Sequence, residues 1–346
     1  MARLLVTGGA GFIGTNFVHY WLREHPDDRI VVLDALTYAG NIANLESART
    51  HPTYSFVQGN ICDTSLVEKL LREHSLDTVV HFAAESHVDR SITGPNAFIE
   101  SNVIGTHSML TAARRVWLEE KSVPRHRFHH VSTDEVYGSL GPNDAPFTES
   151  SPYAPNSPYS ASKAASDHLV RAYHHTYGLA TTISNCSNNF GPYQVTEKLI
   201  PLMLTRLLAG EPLPVYGDGR NVRDWLYVED HCRAIDLILA RGRVGEVYNV
   251  GGRSECENIT LVRELCAVVE ERMRSRPELR ARFPNCPSAR NNECTSLISY
   301  VTDRPGHDRR YAIDCRKLEN ELGFVLRHQL APALRATVDW YLGLAR

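Results

Sequence analysis

The stretch "VTGGAGFIG", from Val6 to Gly14, decides the fold of this 346-residue chain. It directly follows a predicted strand, and its glycines, Gly9, Gly11 and Gly14, have the spacing GxGxxG ahead of a helix predicted to start near Phe12. Such glycines permit a tight turn and bring the free N–H groups of a helix N-terminus close to a pyrophosphate. A tight turn without a ligand is the alternative, but the strand before and the helix after favour a dinucleotide site.

Apolar strand-like runs alternate with helical patterns through the first half of the chain. The runs are "RLLVTGG", "RIVVLDA", "YSFVQGN", "DTVVHFAA" and "RFHHVST". Segments between them, such as "TSLVEKLLREHS", have apolar residues three and four positions apart, as helices packed on a sheet require. The alternation predicts an α/β fold with a Rossmann-type, doubly wound parallel sheet and right-handed crossovers.

The pattern changes after "YGLATTISNCSNNFGP", where prolines divide the chain into shorter pieces. Further on, "DWLYVEDHCRAIDLILARG" and "EVYNVGG" predict a helix and a strand that return to the first sheet. We therefore expect residues 1–185 plus about 226–252 to form the dinucleotide-binding domain. Residues of about 186–225 plus 253–346 are expected to form a smaller, discontinuous α/β substrate-binding domain.

Composition and charge exclude several classes of protein. The 37 basic and 40 acidic side chains give a formal charge of −3, so no global field attracts nucleic acid or anionic membranes. The eight cysteines form no CxxC pair, and adjacent histidines such as His129 and His130 diverge, so no metal site is expected. No apolar stretch could span a bilayer, and the opening "MARLLVTGG" leaves no room for a signal peptide. We expect a cytoplasmic protein without nucleic-acid or membrane partners.

The second predicted strand indicates which dinucleotide is bound. It ends in Asp34, twenty residues beyond Gly14, where a carboxylate accepts hydrogen bonds from a ribose diol and repels a 2′-phosphate. No arginine lies next to Asp34 to pair with that phosphate. The sequence therefore favours NAD over NADP. Asn60 and "FAAES" follow the next two predicted strands, where adenine and pyrophosphate contacts are expected.

Two further motifs carry candidate chemistry. "YSASK" places Tyr159 and Lys163 on one face of a helix that follows Pro158. A lysine ammonium and an oxidised nicotinamide nearby would favour the tyrosine phenolate, a base able to take an alcohol proton. "STDEVYG" ends a strand with the adjacent acids Asp134 and Glu135. Plain helix packing and a polar turn are the respective alternatives.

On these motifs the chain resembles the extended short-chain dehydrogenase/reductase superfamily and, within it, the dTDP-glucose 4,6-dehydratase family. The resemblance covers nearly the whole chain and rests on "TGGAGFIG", "LTYAGN", "HFAAESHVDRSI", "STDEVYG", "SPYSASKAASDHLV", "NNFGPYQ", "EKLIPL", "VYGDGRNVRDWLYVEDH" and "DRPGHDRRYAID". The Asp-Glu pair separates this family from related epimerases, decarboxylases and GDP-mannose dehydratases. The resemblance implies deoxysugar nucleotide synthesis and a homodimer formed through helices near residues 100 to 118 and 160 to 177.

The residues then suggest a dehydration in three steps. Tyr159, with Thr133 beside the C4 hydroxyl, would take its proton while the C4 hydride passes to NAD. Oxidation acidifies C5–H, for which Glu135 is the candidate base, and Asp134 is the candidate acid for the departing C6 hydroxyl. Return of the hydride to C6 and of a proton to C5 leaves a 4-keto-6-deoxy sugar and restores NAD. The expected catalytic residues are Thr133, Asp134, Glu135, Tyr159 and Lys163.

The resemblance also implies the remaining binding residues. NAD contacts are expected from Gly8, Gly11, Phe12, Ile13, Gly14, Asp34, Ala35, Leu36, Thr37, Asn60, Ile61, Phe82, Ala83, Ala84, Ser86, Ser101, Tyr159, Lys163 and Asn189. Nucleotide-sugar contacts are expected from Ser86, Thr133, Asn188, Lys198, Leu199, Pro214, Val215, Tyr216, Arg223, Asn258, Asp303, Arg304, Pro305, Gly306 and His307. Arg223, with Arg304 or His307, would suit the pyrophosphate because guanidinium matches phosphate oxygens bidentately.

Three positions depart from the family pattern. Asn60 stands where an aspartate is usual, Ser101 replaces a threonine and Phe190 replaces a tyrosine. The segment from Arg272 to Thr295 is longer than expected and has no assigned role. Other functions also remain open: a 4-epimerase or a UDP-glucose dehydratase would use the same tyrosine, lysine and NAD, and a regulatory protein would bind NAD without turnover.

Overall fold

A seven-stranded parallel sheet organises the larger part of the computed structural model, which describes residues 1–344. The strand order is β10-β6-β5-β4-β1-β2-β3, and every neighbouring pair is parallel. The strands are β1 (Arg3–Thr7), β2 (Arg29–Asp34), β3 (Tyr54–Gln58), β4 (Thr78–His81), β5 (Arg127–Thr133), β6 (Thr181–Cys186) and β10 (Val247–Val250). The five strands expected in the first half are confirmed, and the fold is the expected doubly wound α/β fold.

Helices cover both faces of this sheet. They are α1 (Phe12–Glu24), α2 (Thr64–Glu73), α3 (Val88–Thr93), α4 (Asn96–Phe98), α5 (Thr106–Ala113), α6 (Pro158–Tyr177) and α8 (Val228–Arg241). Turns of the π type at Ile99–Gly105 and Arg114–Glu119 extend α4 and α5 into one helical stretch. Alternate residues of one strand face different cores: Leu4 packs with α1 and α8, whereas Leu5 packs with α2, α5 and α6.

The smaller unit has two short sheets packed against helices. One has the order β11-β9-β7, and the other pairs β12 with β8. Its elements are β7 (Asn188–Phe190), α7 (Leu199–Ala209), β8 (Leu213–Tyr216), β9 (Val222–Tyr227), β11 (Glu255–Glu257), α9 (Asn258–Ser275), α10 (Pro277–Arg282), β12 (Ile298–Val301) and α12 (Leu330–Tyr341). Helix α11 (Arg316–Leu322) lies between β12 and α12 in the chain. The unassigned segment contains the end of α9, all of α10, the 3-10 turn Pro287–Arg290 and the start of a second one, Cys294–Leu297. It buries Leu279, Cys286 and Cys294 in the core of this unit.

The chain returns to the large sheet as expected, because β10 pairs with the edge of β6. A further contact was not expected: Leu318, Leu322 and Phe324, in and just after α11, pack against Tyr248 of β10. The segment around α11 therefore shares a core with the large sheet, although the sequence assigned it to the smaller domain. The domain boundaries stay a prediction.

Gly14 tests how tightly the first loop packs. The variant Gly14→Ala is expected to lower the free energy of unfolding by about 1–3 kcal/mol, the usual cost of overpacking. An added Cβ would lie 2.2 Å from the carbonyl oxygen of Gly8 and 2.8 Å from the Cα of Gly9. Urea unfolding followed by circular dichroism measures the loss. In the control Gly94→Ala the nearest atom lies 3.7 Å away, so equal losses in both variants would contradict this packing argument.

Candidate active site

A cleft opens along the carboxyl ends of the parallel strands, where sheets of this type bind their ligands. The loop after β1 forms one wall, and α1 begins at Phe12 directly behind it. Gly8 has a φ of 69° and its N–H donates to the carbonyl of Leu33 at 2.9 Å. The close approach of Gly14 to the Gly8 carbonyl leaves no room for a side chain. This cradle of free backbone at a helix N-terminus fits a dinucleotide pyrophosphate.

Asp34 ties the loop after β1 to the loop after β2. Its Oδ2 accepts a hydrogen bond from the Ala10 N–H at 2.9 Å, and its Oδ1 accepts one from the Leu36 N–H at 2.8 Å. The side chain is buried, which raises its pKa, while the two backbone bonds act in the opposite direction. The carboxylate therefore holds the cleft wall in place, and its remaining lone pairs still face the cleft.

Nearly all of the residues expected to contact NAD line the cleft. They are Gly8, Gly11, Phe12, Ile13, Gly14, Asp34, Ala35, Thr37, Asn60, Ile61, Phe82, Ala83, Ala84, Ser86, Ser101, Tyr159, Lys163 and Asn189. Leu36 is the exception: it lies outside the lining, and its N–H holds Asp34. The amide oxygen of Asn60 accepts from the N–H of Cys62 at 2.9 Å, so this departure from the family pattern caps its own loop.

A short turn at the end of β5 presents Thr133, Asp134 and Glu135. The Thr133 hydroxyl accepts a hydrogen bond from the Glu135 N–H at 3.3 Å and donates to Asp134 Oδ1 at 3.4 Å. This cap starts the 3-10 turn Asp134–Tyr137, which ends at Gly138 with a φ of 94°. Thr133 and Glu135 line the cleft. Asp134 lies behind that lining and is 2% exposed, and within residues 1–344 its Oδ2 has no hydrogen-bond partner.

The two carboxyl groups have different electrostatic surroundings. Burial, and then the charge of Glu135, raise the pKa of Asp134 well above its usual value, with Asp224 acting in the same direction. Burial also raises the pKa of Glu135, but Lys198, Arg304 and Arg223 oppose the rise. Burial outweighs the neighbouring charge for Asp134. The arrangement favours a protonated Asp134 beside a more basic Glu135.

Tyr159 and Lys163 project from the first turns of α6. The helix begins at Pro158, its cap Ser157 accepts from the Ser160 N–H at 3.1 Å, and both functional side chains line the cleft. Burial, and then the carboxylate of Glu135, raise the pKa of Tyr159 well above its usual value.

The expectation that Lys163 and an oxidised nicotinamide together favour the Tyr159 phenolate stays a prediction. The Lys163 Nζ donates to the Val131 carbonyl at 2.9 Å and lies 3.3 Å from His130 Nε2. Burial is the largest influence on the pKa of Tyr159 and also on that of Lys163. Burial dominates because both groups lie deep in the wall of the cleft.

The residues expected to bind the nucleotide sugar divide into two groups. Ser86, Thr133, Asn188 and Lys198 line the cleft, and Lys198 Nζ donates to the Ser86 carbonyl at 2.6 Å. The structure places the others outside the cleft lining, in the smaller unit: Leu199, Pro214, Val215, Tyr216, Arg223, Asn258, Asp303, Arg304, Pro305, Gly306 and His307.

Part of the second group meets the larger unit at the rim. Asp89 accepts hydrogen bonds from Arg304 Nη1 at 2.9 Å and from the Tyr216 hydroxyl at 3.2 Å. Arg223 is buried over the Tyr311 ring at 4.3 Å, and its Nη2 donates to the Asp308 carbonyl at 3.0 Å. These contacts fix two guanidinium groups near the carboxylate of Glu135.

The sequence did not identify every residue of the cleft. Its lining also includes Leu33, Ala39, Gly40, Gly59, Glu85, Val131, Ser132, Cys186, Ser187, Gln194 and Val195. The rule that strand ends carry ligands could have found Ser187, which directly follows β6. Gln194 and Val195 come from an irregular loop with no such signal.

A metal site and a membrane-spanning helix can both be looked for in residues 1–344. No three His, Cys, Asp or Glu side chains there are grouped so that they could hold a metal ion. No helix of that part of the chain is both long and apolar enough to cross a membrane. All eight cysteines are free thiols.

Comparisons with known proteins identify the family. The family model for GDP-mannose 4,6 dehydratase matches residues 5–337. A curated dTDP-glucose 4,6-dehydratase from Xanthomonas campestris pv. campestris (strain B100) is 57% identical over 99% of this chain and 93% of its own length. The chain belongs to the dTDP-glucose 4,6-dehydratase family. The expected family resemblance is confirmed.

Solved structures of this family and its neighbours share the fold. The dTDP-glucose 4,6-dehydratase DesIV from Streptomyces venezuelae, crystallised with NAD bound, is 48% identical and matches with a TM-score of 0.86 over 98% of this chain and 96% of that chain. A UDP-glucose 4-epimerase from Thermotoga maritima is 26% identical and matches with a TM-score of 0.82 over 98% of both chains. The fold is thus common to dehydratases and epimerases, and the site residues must distinguish the reactions.

Asp34 tests the wall of the cleft. Asp34→Asn is expected to lower the free energy of unfolding by about 1–3 kcal/mol, the cost of leaving a buried polar group unpaired. Its amide would present N–H groups to one of the two backbone donors, Ala10 or Leu36. Chemical denaturation measures the change. Asp63→Asn is the control, because Asn caps a helix as well as Asp does; equal effects would contradict the special role of Asp34.

Proposed function

We propose that this chain converts dTDP-glucose into dTDP-4-keto-6-deoxyglucose and water and retains NAD through the cycle. The observation that carries the proposal is the Asp134–Glu135 pair, whose members differ in burial and in neighbouring charge beside Tyr159. An epimerase needs only oxidation and reduction at C4, whereas loss of water needs a base at C5 and an acid at the C6 hydroxyl. Membership of the dTDP-glucose 4,6-dehydratase family supports the same reaction.

The residues of the cleft fit NAD. The glycine cradle receives the pyrophosphate, and Asp34 accepts from the adenosine ribose and disfavours a 2′-phosphate. DesIV, with NAD bound, supports this assignment. When bound, NAD supplies the acceptor for the C4 hydride and the donor of the hydride returned to C6.

Tyr159 and Glu135 perform the proton removals. Tyr159 takes the proton of the C4 hydroxyl through its phenolic oxygen, and Thr133, which also lines the cleft, orients that hydroxyl. The resulting C4 ketone acidifies C5–H. Glu135 then takes the C5 proton, and its raised pKa makes it a stronger base than an ordinary carboxylate. Lys198 and the two arginines nearby stabilise the negative charge that develops during this step.

Asp134 supplies the proton for the departing water. Its raised pKa favours the protonated acid near neutral pH, and its Oδ2 is without a hydrogen-bond partner in the described residues. Donation to the C6 hydroxyl turns that group into water, which is a good leaving group. Burial of the acid therefore serves the reaction, because an ordinary aspartate would hold no proton to give.

The smaller unit binds the nucleotide portion of the substrate. Arg223 and Arg304 lie near Glu135, and there they neutralise the charge of the substrate diphosphate. Tyr216 and the segment from Asp303 to His307 form the adjoining wall, tied to the larger unit through Asp89. We assign the pyrimidine base to this wall.

We also propose a cytoplasmic homodimer. Ile99 and Ile104, on the helical stretch expected to pair, are about half exposed, and Tyr177 at the end of α6 is similarly exposed. Apolar side chains in such positions suit a shared helix bundle. Eight free thiols suit a reducing compartment. Sedimentation equilibrium tests the dimer, and a monomer at micromolar concentration would overturn it.

Mass spectrometry of the purified protein tests the reaction itself. Separate incubations with dTDP-glucose, UDP-glucose and UDP-N-acetylglucosamine are expected to show loss of one water from dTDP-glucose alone. Loss of water from UDP-glucose would move the assignment to a different dehydratase. An isomeric sugar without loss of water would indicate an epimerase, and no change with any sugar would indicate a regulatory protein.

Substitution of the acid pair separates its roles. Asp134→Asn and Glu135→Gln are each expected to slow release of water by about 10²- to 10⁴-fold, the usual contribution of a positioned acid or base. NADH formation at C4, followed by its absorbance, should remain. The control is Glu149→Gln, a half-buried acid outside the cleft whose pKa is also raised by burial. If both variants dehydrate normally, the assignment of the pair is wrong.

A further inference from the structure

A buried cluster of charged and titratable side chains lies between α6 and β5, next to Tyr159. It consists of Lys163, His130 and Asp167, and the dehydration proposed above assigns no step to the last two. Asp167 follows Lys163 by one helical turn, and all three side chains are almost completely buried. Burying charged groups in this way is costly unless they are paired and hydrogen bonded.

One imidazole nitrogen lies between the lysine and the aspartate. His130 Nε2 lies 3.3 Å from Lys163 Nζ and 3.3 Å from Asp167 Oδ1. The same ammonium donates to the Val131 carbonyl at 2.9 Å. Lys163 is therefore fixed on one side by β5 and faces the carboxylate across the histidine ring.

Asp167 is held so that one of its oxygens faces this cluster. Its Oδ2 accepts hydrogen bonds from the Ser132 hydroxyl at 2.9 Å and the Tyr153 hydroxyl at 3.0 Å. Its Oδ1 makes no hydrogen bond in the described part of the chain and is directed at His130. Two neutral donors thus orient the carboxylate without neutralising its charge.

Asp167 is the negative group with the largest effect on the pKa of Lys163. Burial lowers the pKa of Lys163 to about 8, and Asp167 is the first group that opposes this shift, followed by Cys186. The other titratable neighbours favour their neutral forms: burial lowers the pKa of His130 and of His81 well below the usual value and raises the pKa of Cys186 to about 12. The pKa of Asp167 is raised to about 6, so it is mainly ionised at neutral pH.

We propose that Asp167, with His130 beside it, is a positioning residue for Lys163. Its buried negative charge keeps the Lys163 side chain protonated next to Tyr159. The inference rests on the proposed function for its role in catalysis, since Lys163 supports the tyrosine base there. Without Asp167 the ammonium has no ionised partner in its wall and loses its proton more easily. Asp134 and Glu135 act on Tyr159 but do not replace Asp167, because neither is among the charges that shift the pKa of Lys163.

The titration of Lys163 tests this directly and needs no substrate. The chain has five lysines, so ¹³C labelling of the lysine ε-carbons gives five signals, and Lys163→Arg identifies the one of interest. Asp167→Asn is expected to lower the pKa of Lys163 by about 1–3 units, the usual effect of a close opposite charge. Asp167→Glu keeps the charge and should restore most of the shift. Tyr153→Phe, which removes one donor from Asp167, should give a smaller change in the same direction.

Thr182→Val is the matched control. Thr182 is fully buried and its hydroxyl contacts His129 Nδ1 at 3.0 Å on the opposite face of β5. Its loss removes a buried hydrogen bond without changing the charge around Lys163, so the pKa of Lys163 should not move. An unchanged Lys163 titration in Asp167→Asn, or an equal shift in Thr182→Val, would overturn the proposal. If Asp167→Asn does not fold, an unchanged titration in Tyr153→Phe has the same meaning.

The pH dependence of dehydration provides the second readout. Lys163 must be charged to support Tyr159, so activity falls as the pH rises through the pKa of the lysine. The alkaline limb of kcat/KM, which reports the enzyme without substrate, should therefore move to lower pH in Asp167→Asn by the same amount as the NMR titration. A merely structural defect would lower kcat without moving this limb. Failure of the proposed function would instead appear as no loss of water in the unaltered protein.

Discussion

Burial of ionisable groups at the carboxyl edge of the parallel sheet is the constraint on which this site depends. Packed helices and strands enclose this edge. Ionisable groups there lose contact with water, so their charged forms become higher in free energy. The same burial raises the pKa of Asp134, raises that of Tyr159 and lowers that of Lys163. Neighbouring charges then separate groups of the same type: three cations and one carboxylate act on Glu135, whereas two carboxylates and one arginine act on Asp134.

The two units of the chain contribute different parts of the chemistry. The large sheet holds the residues assigned to the cofactor and to proton transfer, and its geometry follows from strand ends and helix starts. The smaller unit brings Arg223 and Arg304 close to the Glu135 carboxylate. Contacts across the rim, such as Arg304 with Asp89, connect the units. Residues that lie far apart in the sequence therefore balance both the charge of the substrate and the charge of the catalytic carboxylates.

Much of this arrangement could be predicted from the sequence, because local patterns determine it. GxGxxG after a strand and Asp34 at the next strand end identify most of the cofactor wall, and YxxxK places two side chains on one helical face. Contacts made by tertiary packing could not be predicted. No pattern shows that the Lys163 ammonium turns to the Val131 carbonyl, that Asp134 lies behind the lining of the cleft, or that α11 joins the core of the large sheet.

The adjacent histidines of β5 have a consequence for folding. His129 contacts Thr182 and Ser184 of β6 in one polar layer, and His130 contacts Lys163 on the other face. Because successive strand residues point to opposite faces, sliding β5 by one residue would turn each ring to the opposite face of the sheet. Each ring would then lose its hydrogen-bond partners in a dry core. The two histidines thus disfavour a shifted register of β5. A run of aliphatic residues in the same place would permit such a shift, because aliphatic side chains are interchangeable in an apolar core.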